Sequence, residues 1–241
     1  MHVGKMLSPA FAELAQCVRN GHPPEGIKYG PDGFAELEEK PDEAAIFNQS
    51  MVDNSRRIAA EAAKAYDFGR FASIMDVGGG YGAVLAALLK AVPQASGCVV
   101  DLPHAEPGAL ALFARDGVAD RARFVAGSFF EALPESADCY VLKYILHDWN
   151  DDYAARIVAR VGEAAAKSGG TVILIERIMP ERFEHSADHA KASYGDLTMM
   201  LWDGKERTER EFSDLLARGN LALTRTVPLS DNHFVIEARP R

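Results

Sequence analysis

Ser73-IMDVGGGYGAVLAALLK-Ala91 is the stretch on which the fold of this chain turns. Ser73 to Val77 is a short apolar run of strand length, Gly78 to Gly82 permit a tight backbone turn, and Ala83 to Ala91 carry strong helix formers. A strand, a glycine turn and a helix in that order open an α/β unit. The same grammar recurs downstream. Gly97 to Asp101, Ala122 to Ala126 and Asp138 to Lys143 read as strands two to four, and Gly170 to Arg177 as a fifth, apolar enough for burial on both faces. Asn150-Asp151-Asp152 caps a helix over about Asp151 to Lys167. Thr208-Glu209-Arg210-Glu211 is a capping box ahead of Phe212, Leu215 and Leu216, with Gly219 behind. Leu221 to Val227 and His233 to Ala238 close the chain as an antiparallel pair. The pattern predicts an α/β fold, a doubly wound, mostly parallel sheet of about seven strands.

Upstream the chain reads as helical. Residues 8–20 form a helix with Ser8 as cap, Pro9 in the first turn and Phe11, Leu14 and Val18 on one face, stopped by Gly21 and Pro23-Pro24. Residues 22–33 are a Gly/Pro connector, and Asp42 to Tyr66 is a longer helix carrying Ile46, Phe47, Met51 and Ile58. The division expected is a helical segment over 1–66 and a ligand-binding domain over 67–241. A length of 241 residues with 48% apolar content supports one large α/β domain, or a domain with an appendage. A net charge of −9 without a Lys/Arg block makes nucleic acid a poor partner. Cys17, Cys98 and Cys139 are isolated and lack CxxC spacing, which argues against a disulfide framework or a zinc site. No run has the length of a membrane span, so no membrane partner and a cytoplasmic location are expected.

The chemistry starts at Asp76-VGGGY-Gly82. Gly78, Gly80 and Ala83 satisfy the dinucleotide pattern G-x-G-x-x-A, and Asp101 ends the next strand where an acid accepts hydrogen bonds from ribose hydroxyls. That spacing serves NAD and S-adenosylmethionine equally. Asp76 tips the balance, because its carboxylate repels a pyrophosphate and attracts the ammonium of a methionine moiety. Lys143-YILHDWN-Asp151 then places His147 where a buried strand hands over to a helix. A histidine there exchanges protons near neutral pH, or merely ties down a loop. Ser128 meets an adenine edge with a neighbouring phenylalanine over the ring, or caps a turn. Lys143 contacts ligand or snorkels to the surface. Glu176 receives a histidine proton or pairs with Arg177 or Arg182 at the surface. Asp76, Asp101, Ser128, His147 and Glu176 all fall near the carboxyl ends of successive strands, which gather on one edge in this fold. The sequence shows no cluster of metal ligands, and no metal is expected.

These residues resemble the small-molecule O-methyltransferases that include caffeic acid, flavonoid and hydroxyindole O-methyltransferases. The matching segments are Asp76-VGGGY-Gly82 with its flanks, Asp101-LP-His104, Lys143-YILHDWN-Asp151, Glu176, Asp196-LT-Met199 and Gly204-KERTERE-Phe212, across residues 71–241. Phe47-Asn48-x-x-Met51 resembles the family's pocket-lining helix. The resemblance implies a Rossmann-like methyltransferase of secondary metabolism. By it, Gly78, Gly80, Asp101 and Leu102 bind S-adenosylmethionine, with Phe129 and Lys143 near the adenosine and S-adenosylhomocysteine as product. His147 is then the general base, flanked by Glu176 and Glu206, while Phe47, Met51 and Met199 line the acceptor pocket. Ser128 stands where the family usually has an acid, and Met200 to Gly204 is shorter than the family pattern. The family's N-terminal winged-helix-like dimerisation domain of roughly a hundred residues is not recognisable here, which weakens the expectation of a homodimer.

The activity expected is methyl transfer to a hydroxyl, a phenolic one by preference, on a small aromatic or polyketide-like molecule. A neutral His147 takes the proton. Three rivals stand: hydroxylation or decarboxylation on the same scaffold, a non-catalytic cofactor-binding short homologue, and an NAD-dependent dehydrogenase.

Overall fold

The computed structural model describes residues 11–21, 23 and 40–241. The strands predicted above are realised as β1 (Ser73–Val77), β2 (Ser96–Asp101), β3 (Ala122–Ala126), β4 (Cys139–Lys143), β5 (Thr171–Met179), β7 (Leu221–Pro228) and β8 (His233–Pro240). Their order in the sheet is β3-β2-β1-β4-β5-β8-β7. The first five are parallel, and β8 inserts between β5 and β7 antiparallel to both. A two-residue strand, β6 (Arg207–Thr208), pairs with the end of β5 and was not legible in the sequence. The strand order reverses between β1 and β4, so the crevice outside their carboxyl ends is the expected ligand site.

Alternation along the strands builds a core on each face. Ile74, Val99 and Val141 point to one side, where α2 (Pro41–Ala65), α3 (Ala83–Ala91) and α4 (Glu106–Asp116) pack. Met75, Val100 and Leu142 point to the other, against α5 (Asp151–Ser168) and α7 (Glu209–Arg218). The long helix α2 begins at Pro41, one residue before the predicted start, and its Ile58, Ala59 and Ala62 belong to the same core as β1. Earlier, α1 (Leu14–Asn20) ends at Gly21 in the left-handed conformation. Cys17 of α1 is buried beside Leu201, and Phe11 stacks on Tyr194 at 5.9 Å. Ser8, Pro9 and the connector over 22–33, Pro23 excepted, lie outside the described residues. The sequence reading passed over α4 and α6 (Ala187–Met200). α6 buries little beyond Ala192 and Gly195, so it carries no clear apolar stripe. No described helix is long and apolar enough to cross a membrane.

The two helices under the second face touch through glycine. A Cβ on Gly162 would stand 2.1 Å from the carbonyl oxygen of Gly219. Gly162→Ala is therefore expected to lower stability by about 1–3 kcal/mol despite the better helix propensity of alanine, as a denaturant melt would show.

Candidate active site

The crevice at the reversal point holds a cavity of about 260 Å³. Its floor is the glycine turn. Gly78 has φ +72°, and a Cβ there would come within 2.6 Å of Ile145. Asp76 is 1% exposed, and its Oδ2 accepts the Leu85 amide at 3.2 Å, at the start of α3. Burial pushes its pKa up to about 7. Asp101 accepts the Gly80 amide at 2.6 Å and the Leu102 amide at 2.7 Å, one per oxygen, so each oxygen keeps a lone pair for a ligand hydroxyl. Ser128 Oγ accepts the Phe130 amide at 3.2 Å, and Ser128 and Phe129 both line the cavity. Lys143 is buried, donates to Ser55 Oγ at 3.2 Å and lies 3.9 Å from the Tyr144 ring centre. Its burial pulls the ammonium pKa down to about 8. The surface position left open for Lys143 is not adopted.

Beyond β4 the chain turns at Tyr144, whose φ of 56° is left-handed. The irregular backbone that follows is held from both ends. Glu176 Oε1 accepts the amides of Ile145 and Leu146, each at 3.0 Å. Arg207, fully buried, donates to the carbonyls of Leu146 at 2.6 Å and Trp149 at 2.9 Å and to Asp151 Oδ1 at 2.8 Å. Lys205 N donates to the His147 carbonyl at 2.9 Å, and a Cβ on Gly204 would stand 2.2 Å from that same oxygen. Asn150 Oδ1 caps α5 by accepting the Asp152 and Tyr153 amides.

The imidazole of His147 is 6% exposed and stacks on Tyr144 at 4.6 Å. Nδ1 lies 3.2 Å from Glu206 Oε1 and 4.0 Å from Glu176 Oε2, and Nε2 lies 3.3 Å from Asp148 Oδ1. Burial alone would lower its pKa, but the charges of Asp148, Glu176 and Glu206 overcome burial and push it up to about 9. Three surrounding carboxyl groups therefore favour the imidazolium, against the neutral ring that proton removal needs. Burial opposes ionisation of Glu206, yet its bond to His147 keeps it below the usual range. Burial pushes Glu176 up to about 7. Glu206 is the hydrogen-bond partner of the ring, while Glu176 is committed to the loop amides. The surface pairing of Glu176 with Arg177 or Arg182 does not form, since Glu176 is fully buried.

A profile of the O-methyltransferase domain family matches residues 11–220. The chain belongs to that family. Phenazine O-methyltransferase of Lysobacter antibioticus is 33% identical over 232 residues, covering 96% of this chain and 67% of its own length. The 2,7-dihydroxy-5-methyl-1-naphthoate 7-O-methyltransferase of Streptomyces carzinostaticus is 37% identical over 221 residues, covering 91% of this chain and 64% of its own length. Among solved structures, a neocarzinostatin-biosynthesis O-methyltransferase in complex with S-adenosylmethionine and 2-hydroxy-5-methyl naphthoic acid superposes with a TM-score of 0.85 at 34% identity, covering 97% of this chain and 69% of that one. The chain spans roughly two thirds of the length of the curated relatives it matches, from 61% to 67% for the first four.

Of the residues expected in this O-methyltransferase domain's site, Asp76, Gly78, Gly80, Asp101, Leu102, Ser128, Phe129, Lys143 and Met51 line the one cavity. His147, Glu176 and Glu206 gather beside it, joined to it through Asp148 and Tyr144, which line the cavity themselves. Met199 lines a separate groove with Arg177 and His233. The side chain of Phe47 lies outside the described residues. The reading of no ligand cluster also needs correction. One donor atom from each of His147, Glu176 and Glu206 lies within 4.8 Å of the others, although the three are far apart in sequence. Sequence reasoning missed Asp148, Tyr144 and Arg207. The first two stand inside the quoted stretch from Lys143 to Asp151 and Arg207 inside that from Gly204 to Phe212, but nothing local says which groups they serve. Arg207→Met would strand the buried carbonyls of Leu146 and Trp149. It is expected to cost about 3 kcal/mol in a urea melt, at roughly 1–3 kcal/mol for each orphaned group.

Proposed function

We propose that this chain is the catalytic part of an S-adenosylmethionine-dependent O-methyltransferase acting on a hydroxyl, phenolic by preference, of a small aromatic or polyketide-like molecule. One observation carries the reading: an acid-lined cavity abuts a buried imidazole whose Nδ1 is engaged by Glu206. Asp76, Asp101 and Asp148 line that cavity, and Lys143 is the one lysine or arginine among the described residues lining it. Such a surface suits a cationic ligand with a ribose diol and disfavours a pyrophosphate, which argues against NAD. The glycine turn supports the fit, since any side chain on Gly78 would occupy the space against Ile145 and Phe129.

When bound, S-adenosylmethionine supplies a methyl group on a positively charged sulfur and leaves as S-adenosylhomocysteine. The protein's tasks are binding, alignment and proton removal. Asp101 offers its remaining lone pairs to the ribose and Asp76 its charge to the ammonium. Glu206 accepts Nδ1–H of His147, which leaves Nε2 to take the hydroxyl proton once the ring is neutral. Asp148 lines the cavity and approaches Nε2, so a cation held in that cavity would offset the field that favours the imidazolium. A phenol has a pKa near 10, so a base of raised pKa is well matched to its proton. Residues 1–66 as the acceptor side and 67–241 as the cofactor domain belong to the same reading, supported by Asn48 and Met51 on the cavity wall. So do a homodimer, for which the family resemblance is the support although the dimerisation domain is not recognisable, and a cytoplasmic location, for which the isolated cysteines are the support; light scattering tests the former.

His147→Ala is expected to keep cofactor affinity within a few-fold and to lose turnover of labelled methyl donor on every accepted hydroxyl; undiminished turnover would remove His147 from the mechanism. The ring in the ligand-free protein should titrate near pH 9 by NMR. Its pKa should fall on adding S-adenosylmethionine. Because the neutral ring is the active form, the rate should rise with pH through that lowered pKa and level off above it, and a rate that falls over this range contradicts the assignment. Turnover is also expected to be insensitive to a chelator, since Glu176 is engaged by the loop amides and Glu206 by His147 Nδ1; loss of activity restored by a divalent cation would make the cluster a metal site.

A further inference from the structure

Tyr144 joins the cofactor cavity to the base. It lines the cavity, and its ring stacks on the imidazole of His147 at 4.6 Å, 29° from parallel. Its φ of 56° lies in the left-handed region, where a side chain is held only if its surroundings fix it. Those surroundings are specific. Lys143 Nζ lies 3.9 Å and Arg177 Cζ 5.5 Å from the centre of the same ring. The phenol is hydrogen-bonded to Nε2 of His233, the buried first residue of β8. His233 Nδ1 lies 2.8 Å from the Ser230 carbonyl, which can only accept, so Nδ1 carries the proton. Burial first, then the charges of Arg177, Arg57 and Lys143, holds the His233 pKa below the usual value and keeps the ring neutral. Nε2 therefore accepts from the Tyr144 hydroxyl. The turn behind His233 is itself pinned, for Asn232 Nδ2 donates to the Ile178 carbonyl at 2.7 Å and Ser230 Oγ to Glu61 at 2.6 Å.

Among the described residues, the imidazole of His147 makes one hydrogen bond, from Nδ1 to Glu206 at 3.2 Å. One bond at one nitrogen does not set the plane of a ring. A second aromatic face pressed against it does, and the anchor on His233 keeps that face from turning. Resting on the methyltransferase reading above, we propose that Tyr144 is a positioning residue: tied by its hydroxyl to His233, its ring sets the plane of the His147 imidazole and so aims Nε2 at the acceptor hydroxyl.

The test uses the full chain with isotope-labelled histidine, saturated with S-adenosylhomocysteine. Wild type is compared with Tyr144→Phe, with His233→Leu, with the two combined, and with His233→Gln, whose amide oxygen can accept from the phenol. A thermal melt and the affinity for S-adenosylhomocysteine establish that each variant is folded. The ring protons of His147, identified by their loss in His147→Ala, should resonate upfield under the Tyr144 ring in wild type. Tyr144→Phe and His233→Leu should each move them towards the free-histidine position. On the fastest phenol of a panel of naphthols, each should also lose about tenfold or more in kcat, with KM held within a few-fold. The double variant should lose no more than either single one, and His233→Gln should recover both shift and rate. Unshifted ring protons in wild type overturn the proposal, as do unchanged shifts in both single variants, a loss confined to KM, additive losses in the double variant, or no recovery in His233→Gln. Absence of methyl transfer by wild type to every naphthol counts against the methyltransferase reading instead, and the ring-proton shifts still decide whether Tyr144 sets the imidazole plane.

Discussion

The loop that carries His147 is suspended between two buried charges of opposite sign. Glu176 at the end of β5 accepts its amides, and Arg207 on β6 donates to its carbonyls. Irregular backbone at that depth needs a partner for each polar group, because water cannot serve it. The charges in turn need the loop, since a buried carboxylate or guanidinium without hydrogen bonds is strongly destabilising. Each element therefore fixes the others: β5 and β6 place the clamp, the clamp shapes the loop, and the loop sets the imidazole beside the crevice between β1 and β4.

The same arrangement governs the electrostatics. Acidic groups crowd this edge of the sheet, three of them around His147 and two more beneath the glycine turn. One acid belongs to both places. Asp148 lines the cavity and approaches Nε2, so a cation in the cavity and a proton on the ring compete for the same field. Binding of a positive donor and readiness of the base are thus linked by Coulomb interaction, with no movement of the chain required.

Much of this was legible in the residues because it is local. Strand runs, the Thr208 capping box, the Asn150 cap and the glycine turn each depend on neighbours a few positions away. The antiparallel closing pair could be read from two runs and a short link. What was not legible lacks a local signature. α6 has no apolar stripe, β6 is two residues long, and the service of Arg207 to carbonyls some sixty positions earlier leaves no mark in sequence. Glu176 was placed at the right edge with a histidine as one candidate partner, and its Oε2 does lie 4.0 Å from His147 Nδ1, but its position on β5 says nothing about which amides descend to meet Oε1.

By itself the sequence determined the strand–helix alternation, the glycine turn with its two acids, and the histidine at a strand's end, since periodicity, backbone freedom and side-chain chemistry are properties of short segments. Only the tertiary structure decided which carboxyl groups face His147, the division of labour between Glu176 and Glu206, and the place of Arg177 beside Glu206 and over the Tyr144 ring. Those depend on distances between groups brought together from β4, β5, β6 and the loop after α6, and the energy of a buried charge is set by what surrounds it in space.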